Sequence, residues 1–464
     1  MNASPPGWTS DRLKDVAAIN MASLPADTNP DYEFDYLEIS NVNYHGVVDP
    51  NAIERLRYED APSRARRRVA KNCTVISSVR PNLQAVAFID NGRKDFVCST
   101  GFNVVQPAAH KLSPKFGYYA LISEGGRQYF EATAKGVGYP AVDDKDFDSF
   151  SVPLPPLPEQ QRIAAYLDAS CAAIDAAVAA KRRQLETLEA LRKSILQRIV
   201  TRGLSEHPVL DSTGNAWLER IPHGWKLVCL KRISEIQGGL TLGKQYEGSL
   251  VERPYLRVGN VQDGHLDLDD VSVIELPESV AKGVELQVGD VLMTEGGDLD
   301  KLGRGTLWQG EIPGCLHQNH IFAVRCFRHK LKPQFLAYVT AAQYGRDYFE
   351  ATGKKTTNLA CTNANKVGEF PIPLPLLPEQ EAICAHLDEK LDEVKRIARG
   401  IETQIATLTA YRKSLIHECV TGQRRVTEAD LHGVDRKAGA PADSRLSYHR
   451  HDNWTAQNST GCSE

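Results

Sequence analysis

The chain has 464 residues, of which 42% are hydrophobic and 25% are charged. These values are typical of a globular protein with two to four domains. The formal net charge of −4 argues against a protein that coats DNA non-specifically, because such binding needs many lysine and arginine contacts to phosphates. Specific binding through local basic patches remains open.

The cysteines and the N-terminal residues indicate the cellular compartment in which we expect the protein. The ten cysteines include no C-x-x-C pair, which predicts reduced thiols and neither a disulfide framework nor a zinc site. The first residues, MNASPPGWTSDRLK, lack the basic and apolar regions of a signal peptide, and no apolar run approaches twenty residues. We therefore expect a cytoplasmic protein without a membrane span.

A nineteen-residue stretch occurs twice in the chain. FSVPLPPLPEQQRIAAYLD (150–168) returns as FPIPLPLLPEQEAICAHLD (370–388), with twelve identical positions at an offset of 220. Weaker matches reach further back, among them 126–133 with 345–352. Internal repetition predicts that each half is one structural unit. The divergent modules are 1–150 and 207–370, the well-matched modules are 151–206 and 371–423, and 424–464 is a polar tail that we expect to be flexible.

The divergent modules mix strand and helix patterns. Strands are predicted at 74–79, 102–107, 290–295 and 321–326 from short apolar or alternating runs. Helices are predicted at 114–132 and 333–351, where apolar and aromatic residues recur at helical spacing. The expected fold class is α+β, with two tandem-repeated mixed α/β domains, each followed by a long helix.

Each well-matched module begins with a proline-rich stretch and continues as that long helix. The prolines favour an extended strap, which continues neither a strand ladder nor a helix. Pro158 and Pro378 mark the expected first turn of the helices.

Farther along the helices, mainly apolar residues recur in alternating steps of four and three, which predicts a coiled-coil seam between the two helices. The alternative is a pair of ordinary amphipathic helices, each packed on its own domain. The seam positions are Ile174, Val178, Lys181, Leu185, Leu188, Arg192, Ile195 and Ile199, then Val394, Ala398, Ile401, Ile405, Leu408, Arg412, Leu415 and Cys419.

Three stretches approach the motifs of nucleotide, methyltransferase or metal sites without completing them. GGLTLGKQ (238–245) would resemble a phosphate-binding loop if Gln245 were the Ser or Thr that holds magnesium. NPDY (29–32) departs from the Asn-Pro-Pro-Tyr stretch of amino-methyltransferases, and HQNH (317–320) offers two histidines without a carboxylate partner. We therefore expect no catalytic residues and no bound metal in this chain.

The repeated stretch PLPPLPEQQRIAAYLD, with the long seam and the Val-Thr that follow, resembles the specificity subunit of type I restriction-modification enzymes over residues 7–423. SSVRPN (77–82), STGF (99–102) and HQNHI (317–321) are similar to phrases of that family's variable domains. The resemblance implies a non-catalytic subunit that reads a split double-stranded DNA target, with one variable domain in the major groove of each half-site.

The resemblance also implies how the subunit is assembled. Two helices joined as an antiparallel coiled coil place the tandem domains in inverted orientation, and the well-matched modules dock two modification (methyltransferase) subunits. Motor or restriction subunits complete the complex. S-adenosylmethionine, ATP and Mg belong to those partners, and this chain binds no cofactor. The alternatives are a helical assembly scaffold that does not touch DNA and the specificity subunit of a solitary methyltransferase system.

Candidate DNA-contacting residues are those that can donate hydrogen bonds to phosphates or to base edges. In the first divergent module they are Arg64, Arg66, Arg67, Arg68, Arg80, Lys135 and Tyr139. In the second they are Gln237, Thr241, Lys244, Gln245, Lys301, Arg304, Gln318, Asn319, Lys354, Lys355, Thr356 and Asn358. The competing interpretation of each basic residue is a solvated face or a salt bridge.

Overall fold

The chain forms two compact units in which the long helices are shared. The first unit joins Met1–Ala180 to Gln404–Glu464, and the second is Lys181–Thr403. Each long helix therefore contributes one part to each unit. The computed structural model describes residues 5–43, 46–83, 85–90, 95–297, 302–355 and 360–431.

Two four-stranded sheets lie at the centre of the first unit. In one, the strands are antiparallel and bonded in the order Ala17–Ile19, Phe102–Pro107, Cys73–Ser77, Val86–Ile89. In the other, the order is Glu54–Arg57, Glu33–Leu37, Phe96–Ser99, Ala65–Arg68, with a parallel central pair. The strands predicted at 74–79 and 102–107 are confirmed, and the second has the predicted bounds.

Two consecutive helices, Pro114–Ile122 and Glu124–Thr133, replace the single helix predicted at 114–132. The chain turns between them at Ser123, whose hydroxyl accepts a hydrogen bond from the Gly126 N–H at 3.2 Å. A Cβ at Gly126 would lie 2.4 Å from a carbonyl oxygen of the preceding helix, so the turn requires glycine. The shorter helical elements are Leu13–Val16, Ile39–Asn41, Pro50–Ala52, Pro81–Leu83 and Asp144–Asp148.

The second unit also contains three sheets of three or four short strands. The four-stranded sheet has the order Ser234–Gly238, Ile321–Cys326, Val291–Thr294, Gly305–Leu307. One three-stranded sheet has the order Ser272–Leu276, Val251–Leu256, Leu316–His317. The other has the order Gly296–Gly297, Ala360–Cys361, Lys354–Lys355. The strands predicted at 290–295 and 321–326 are confirmed.

The helix predicted at 333–351 is likewise two helices, Pro333–Ala341 and Gln343–Thr352. Gly345 lies in the first turn of the second helix, where a Cβ would lie 2.6 Å from a carbonyl oxygen of the first helix. The remaining elements are the helices Leu230–Arg232, Val258–Asn260, Glu278–Gly283 and Ala364–Glu369 and the paired strands Leu210–Ser212 and Arg220–Pro222.

The proline-rich stretches pair as strands, which corrects the expectation of an unpaired strap. Ser151–Leu154 is antiparallel to Thr9–Arg12, and Pro371–Leu374 is antiparallel to Lys226–Cys229. Both sheets have two strands, so each strand is an edge. Proline is tolerated at an edge, where its missing N–H can face away from the partner strand.

The long helices are Leu157–Arg202 and Leu377–Val420, so Pro158 and Pro378 lie in the first turn as predicted. All sixteen predicted seam positions are buried or half-buried. In the first unit, Ile174 shares a core with Leu415 of the other helix. In the second unit, Ile199 shares a core with Leu391.

The first long helix contains an apolar stretch that is long enough to resemble a membrane span, which the sequence had not led us to expect. Eighteen of its residues have a mean hydropathy of 1.5, and 39% of that stretch is buried. By length and composition alone this helix could cross a membrane. Its apolar residues Ile163, Leu167 and Cys171 pack into the core of the first unit, and core helices of soluble proteins pass the same test.

The start of the predicted tail is packed onto the first unit. Val426 is 1% exposed, and its carbonyl accepts a hydrogen bond from Arg162 Nε at 2.9 Å. Arg424 donates to the Tyr166 hydroxyl at 2.9 Å. Residues 424–431 therefore belong to the folded unit, because burial of one valine and two side-chain hydrogen bonds fix them. The rest of the predicted tail, 432–464, lies outside the described residues.

Candidate nucleic-acid interface

In the first unit, three backbone hydrogen bonds join four separate chain segments into one edge. The Thr100 N–H donates to the Arg64 carbonyl at 2.8 Å. The carbonyl of Gly101, which follows Thr100, accepts from the Ser78 N–H at 2.9 Å. Two residues after Ser78, the Arg80 N–H donates to the Pro140 carbonyl at 2.7 Å. Because backbone-bonded residues are direct neighbours, this edge brings the candidates Arg64, Arg80 and Tyr139 along one side of the module.

Two backbone hydrogen bonds at Ser78 have counterparts in the second unit, where the side chains differ. The Glu295 N–H donates to the His320 carbonyl at 2.9 Å, and the Thr362 N–H donates to the Glu295 carbonyl at 2.7 Å. In the first unit the corresponding bonds run from Ser78 to Gly101 and from Val142 to Ser78, at 2.9 Å each. The backbone frame is thus repeated while the residues on it differ.

The second edge is widened by the loop that resembled a phosphate-binding sequence. The Leu240 N–H donates to the His317 carbonyl at 2.7 Å, and the Asn319 N–H donates back to the Leu240 carbonyl at 3.0 Å. A Cβ at Gly239 would lie 2.3 Å from the Gln318 carbonyl oxygen, so this close approach needs glycine. The loop therefore presents Thr241, Lys244 and Gln245, all exposed, beside the half-buried Gln318 and Asn319.

The arginines of the strand Ala65–Arg68 and its flank have separate environments. Arg67 is directed into the module, where it donates to the Phe102 carbonyl and, at 2.8 Å, to Asn103 Oδ1. Burial lowers the pKa of Arg67. The other three lie nearer the surface: Arg64 pairs with Glu38, Arg66 lies 4.7 Å from the centre of the Tyr58 ring, and Arg68 lies 5.6 Å from that of Tyr32.

Lys135 closes the base of the loop that carries Tyr139. Its ammonium lies 2.5 Å from Asp143 and 3.2 Å from Asp146, and the hydrogen bonds to these carboxylates raise the pKa of Lys135. The Arg80 guanidinium lies 4.3 Å from the centre of the Tyr139 ring, which is 73% exposed. Tyr139 on this loop and Arg80 beside it are exposed and stacked on each other, whereas the exposed Lys135 is paired with two carboxylates.

The remaining candidates of the second module are more scattered. Gln237 donates to the Gly283 carbonyl, Arg304 is half-buried, and Lys354 is exposed on the strand that continues to Lys355. Lys301, Thr356 and Asn358 lie outside the described residues.

An ionic cluster that the sequence analysis did not connect ties the second module to the first long helix. Asp263 lies 2.5 Å from Arg346 and 3.4 Å from Arg192, which also binds Glu189 at 2.9 Å. The hydrogen bond to Glu189 raises the pKa of Arg192. The only sequence signal for this cluster was an arginine, Arg192, inside an otherwise largely apolar seam.

The equivalent arginine of the second long helix has another kind of partner. Arg412 Nε lies 3.0 Å from Asp175 Oδ1 on the first long helix, within the first unit. The Arg412 side chain is 20% exposed, whereas that of Asp175 is 54% exposed. This ion pair connects the two long helices directly.

The histidines of HQNH make ordinary protein contacts. His317 is fully buried, and its Nδ1 lies 2.9 Å from the Ile321 carbonyl oxygen. His320 Nδ1 lies 2.8 Å from Glu295. Within the part of the chain that the structure describes, no group of three or more His, Cys, Asp or Glu residues is placed to hold a metal ion.

Comparison with known proteins gives consistent matches. A family model described as the type I restriction modification DNA specificity domain matches residues 5–187. The chain is 28% identical over 309 residues to the type I restriction enzyme MjaVIII specificity subunit of Methanocaldococcus jannaschii, covering 64% of this chain and 68% of that protein. It is 24% identical over 361 residues to the EcoKI specificity subunit of Escherichia coli K12, covering 74% of each.

Solved structures extend the similarity over most of the chain at the level of the fold. A chain from work on complex assembly and conformational transition of the type I R-M system aligns with a TM-score of 0.73 and 23% identity, covering 91% of this chain and all of that one. The HsdS subunit from Thermoanaerobacter tengcongensis aligns with a TM-score of 0.53 and 22% identity, covering 91% of this chain and 98% of that one.

Proposed function

Because the chain belongs to the specificity subunits of type I restriction-modification enzymes, we propose that it directs a DNA methyltransferase complex to a split double-stranded target. Each divergent module, 1–150 and 207–370, reads one half-site. One observation carries this proposal: the two modules repeat two equivalent backbone hydrogen bonds, at Ser78 and at Glu295, and place different side chains around them. Two readers of different bases need such a constant frame with variable contacts.

The candidate residues divide by the kind of DNA contact that they suit. Exposed cations such as Arg68, Lys244 and Lys354 fit phosphate contacts, which position the module without reading sequence. Gln318 and Asn319 have amides that can bond bidentately to adenine in the major groove. Arg67 supports the module from inside, since its guanidinium is engaged by Phe102 and Asn103.

The long helices join the two readers as an antiparallel coiled coil. In support, 157–180 packs with 404–420 in the first unit, and 181–202 packs with 377–403 in the second, so the start of each helix meets the end of the other. Antiparallel pairing of two equivalent helices suits the inverted geometry of two duplex half-sites. The helices then set the distance between the half-sites.

The chemistry of the complex belongs to partners of this chain. The well-matched modules 151–206 and 371–423 dock two modification subunits, which bind S-adenosylmethionine and methylate the target. Motor or restriction subunits bind ATP and Mg. This chain contributes neither catalysis nor a cofactor, and the complex acts in the cytoplasm, where its DNA is.

Module exchange tests the proposal. The chain is co-expressed with its modification subunit, and methylated adenines are mapped by long-read sequencing. Replacing residues 20–145 with the matching module of a related subunit should change one half of the methylated target and leave the other intact. A complex that forms without sequence-specific methylation would instead indicate an assembly scaffold, and a change in both halves would refute independent reading.

A further inference from the structure

Arg80 has a backbone conformation that arginine rarely adopts. Its φ is +50°, in the left-handed region that costs free energy for a residue with a Cβ. Among the described residues, the other non-glycine positions with positive φ are Asn20, Asn72 and Asp95, whose short polar side chains tolerate it. Arg80 also precedes Pro81, and a residue before proline favours an extended backbone. The fold therefore holds this arginine in place against two local preferences.

The strained backbone fixes where the Arg80 side chain points. The Arg80 N–H donates to the Pro140 carbonyl at 2.7 Å, and the guanidinium lies 4.3 Å from the centre of the Tyr139 ring. Stacking on an aromatic face orients a planar guanidinium and removes part of its rotamer freedom before any ligand binds. Among the described residues Arg80 has no ion-pair partner, and its side chain is exposed.

The loop that carries Tyr139 is rigid at its base and apolar at its tip. Lys135 and Ala141 exchange backbone hydrogen bonds of 2.8 and 2.9 Å, and the Lys135 ammonium holds Asp143. Between them, Val137 is fully exposed and Tyr139 is 73% exposed. A fixed loop that presents valine and tyrosine to water gains by covering them with a partner.

We propose that Arg80, stacked on Tyr139, reads a guanine in the half-site of the first module, and that Val137 contacts the methyl group of a nearby thymine. This inference rests on the proposed function. Arginine bonds bidentately to guanine O6 and N7 in the major groove, and thymine methyl groups are read by apolar contact. A phosphate contact would need only a mobile positive charge, whereas the stack and the held backbone give a fixed plane, as base reading requires.

The test uses the complex of the full chain with its modification subunit and duplexes that carry the methylated target of the wild type. Each base pair of the first half-site is substituted in turn, and methylation rates are measured. Arg80→Lys keeps the charge but loses the planar fork, Tyr139→Leu loses the stack, and Tyr139→Phe keeps it. Discrimination at one guanine should fall roughly 5- to 150-fold in the first two variants and be retained in the third.

The second half-site serves as the internal control for folding and assembly. Its base preferences should be unchanged in every variant, because its reader lies in the other module. Unchanged discrimination throughout the first half-site with Arg80→Lys and Tyr139→Leu would overturn the inference and leave the proposed function standing. Weaker binding to the modification subunit, with discrimination retained by the complex that still forms, would assign the loop to protein docking and also overturn it. A wild-type complex without sequence-specific methylation would defeat the proposed function itself.

Discussion

Gln160 and Gln380 occupy equivalent positions in the two copies of the repeat and make the same three backbone hydrogen bonds. The side-chain amide of Gln160 donates to the carbonyls of Lys111 and Pro155 at 3.0 and 2.9 Å. Its side-chain oxygen accepts from the Ser113 N–H at 2.8 Å. The corresponding partners of Gln380 are Lys330, Pro375 and Lys332, at 2.9, 2.9 and 2.8 Å. The glutamine of the repeated Pro-Glu-Gln sequence therefore attaches each long helix to the module before it.

Replacing Gln160 with alanine should destabilise the first unit by about 2–6 kcal/mol, because two buried backbone groups lose their partners at about 1–3 kcal/mol each, while the third, part-buried group can bond to water. Urea denaturation followed by circular dichroism measures this. Gln161→Ala is the matched control: the same residue type lies one position further along and is exposed, so it should change stability by less than about 0.5 kcal/mol. Equal effects of the two substitutions would contradict the anchoring role of Gln160.

Arg80→Gly should leave stability within about 0.5 kcal/mol of the wild type. Glycine relieves the backbone strain at φ +50°, which stabilises the folded chain. This gain offsets two losses: the greater chain entropy of the unfolded glycine variant and the missing contact with Tyr139. Arg68→Gly is the matched control, since Arg68 also lies over a tyrosine but occupies an extended strand, where glycine should cost about 1 kcal/mol. Thermal melts of both variants test this, and a larger loss for Arg80→Gly would contradict the strain at Arg80.

Stability of the second unit should fall with acid in a window set by His317. Burial lowers the pKa of His317 below its ordinary value of about 6.5. Below pH 6.5 the His317 side chain is therefore protonated in the unfolded chain but stays neutral in the folded chain. The free energy of unfolding is retained above this pH and falls below it, by up to about 1.4 kcal/mol per pH unit. The loss levels off once the pH is below the folded pKa.

His317→Asn should remove this dependence, because the asparagine amide can donate to the Ile321 carbonyl and does not titrate in this range. Urea midpoints at pH 7.5, 6.5 and 5.5 measure the slope. Gln318→Ala is the matched control, because it removes a half-buried neighbouring side chain without removing a titratable group, and it should keep the wild-type slope between pH 7.5 and 5.5. If both variants kept that slope, His317 would not be its source.

Lengthening the long helices should lengthen the unread gap between the half-sites. Four residues inserted after Ala180 and four after Thr403, where each helix passes from one unit to the other, add about 6 Å and about 40° to each helix. The rise of DNA is about 3.4 Å per base pair, so the gap should grow by about one or two base pairs with the same bases recognised. Insertion at the helix end is unsuitable, because Val200 and Thr201 are buried.

Methylation mapping before and after the insertion tests this expectation. The matched control is the same four residues inserted after Gly214, an exposed turn with φ +65° outside the helices, which should leave the gap unchanged. An unchanged gap with full activity in the helix variant would show that the helices do not set the spacing.

The sequence by itself determined the repeat, the alternation of strands and helices, and the faces of the long helices. These features follow from local periodicity: a run such as 321–326 forms a strand with the predicted bounds, and every seam position is at least half-buried. Proline in the first turn of each long helix was also readable, because its effect on the backbone is local. The strands at the proline-rich stretches were missed, because their partners lie far away in the chain.

The tertiary structure alone decided which of the polar residues face the solvent. Arg64, Arg66, Arg67 and Arg68 are alike as letters, yet Arg67 is directed inward while its neighbours reach the surface. Strand alternation divides them between two faces, and which face is inside depends on the sheet that packs there. The stack of Arg80 on Tyr139 and the pair of Asp263 with Arg346 join residues distant in sequence. Such contacts arise only after the backbone has brought remote segments together, so no local pattern announces them.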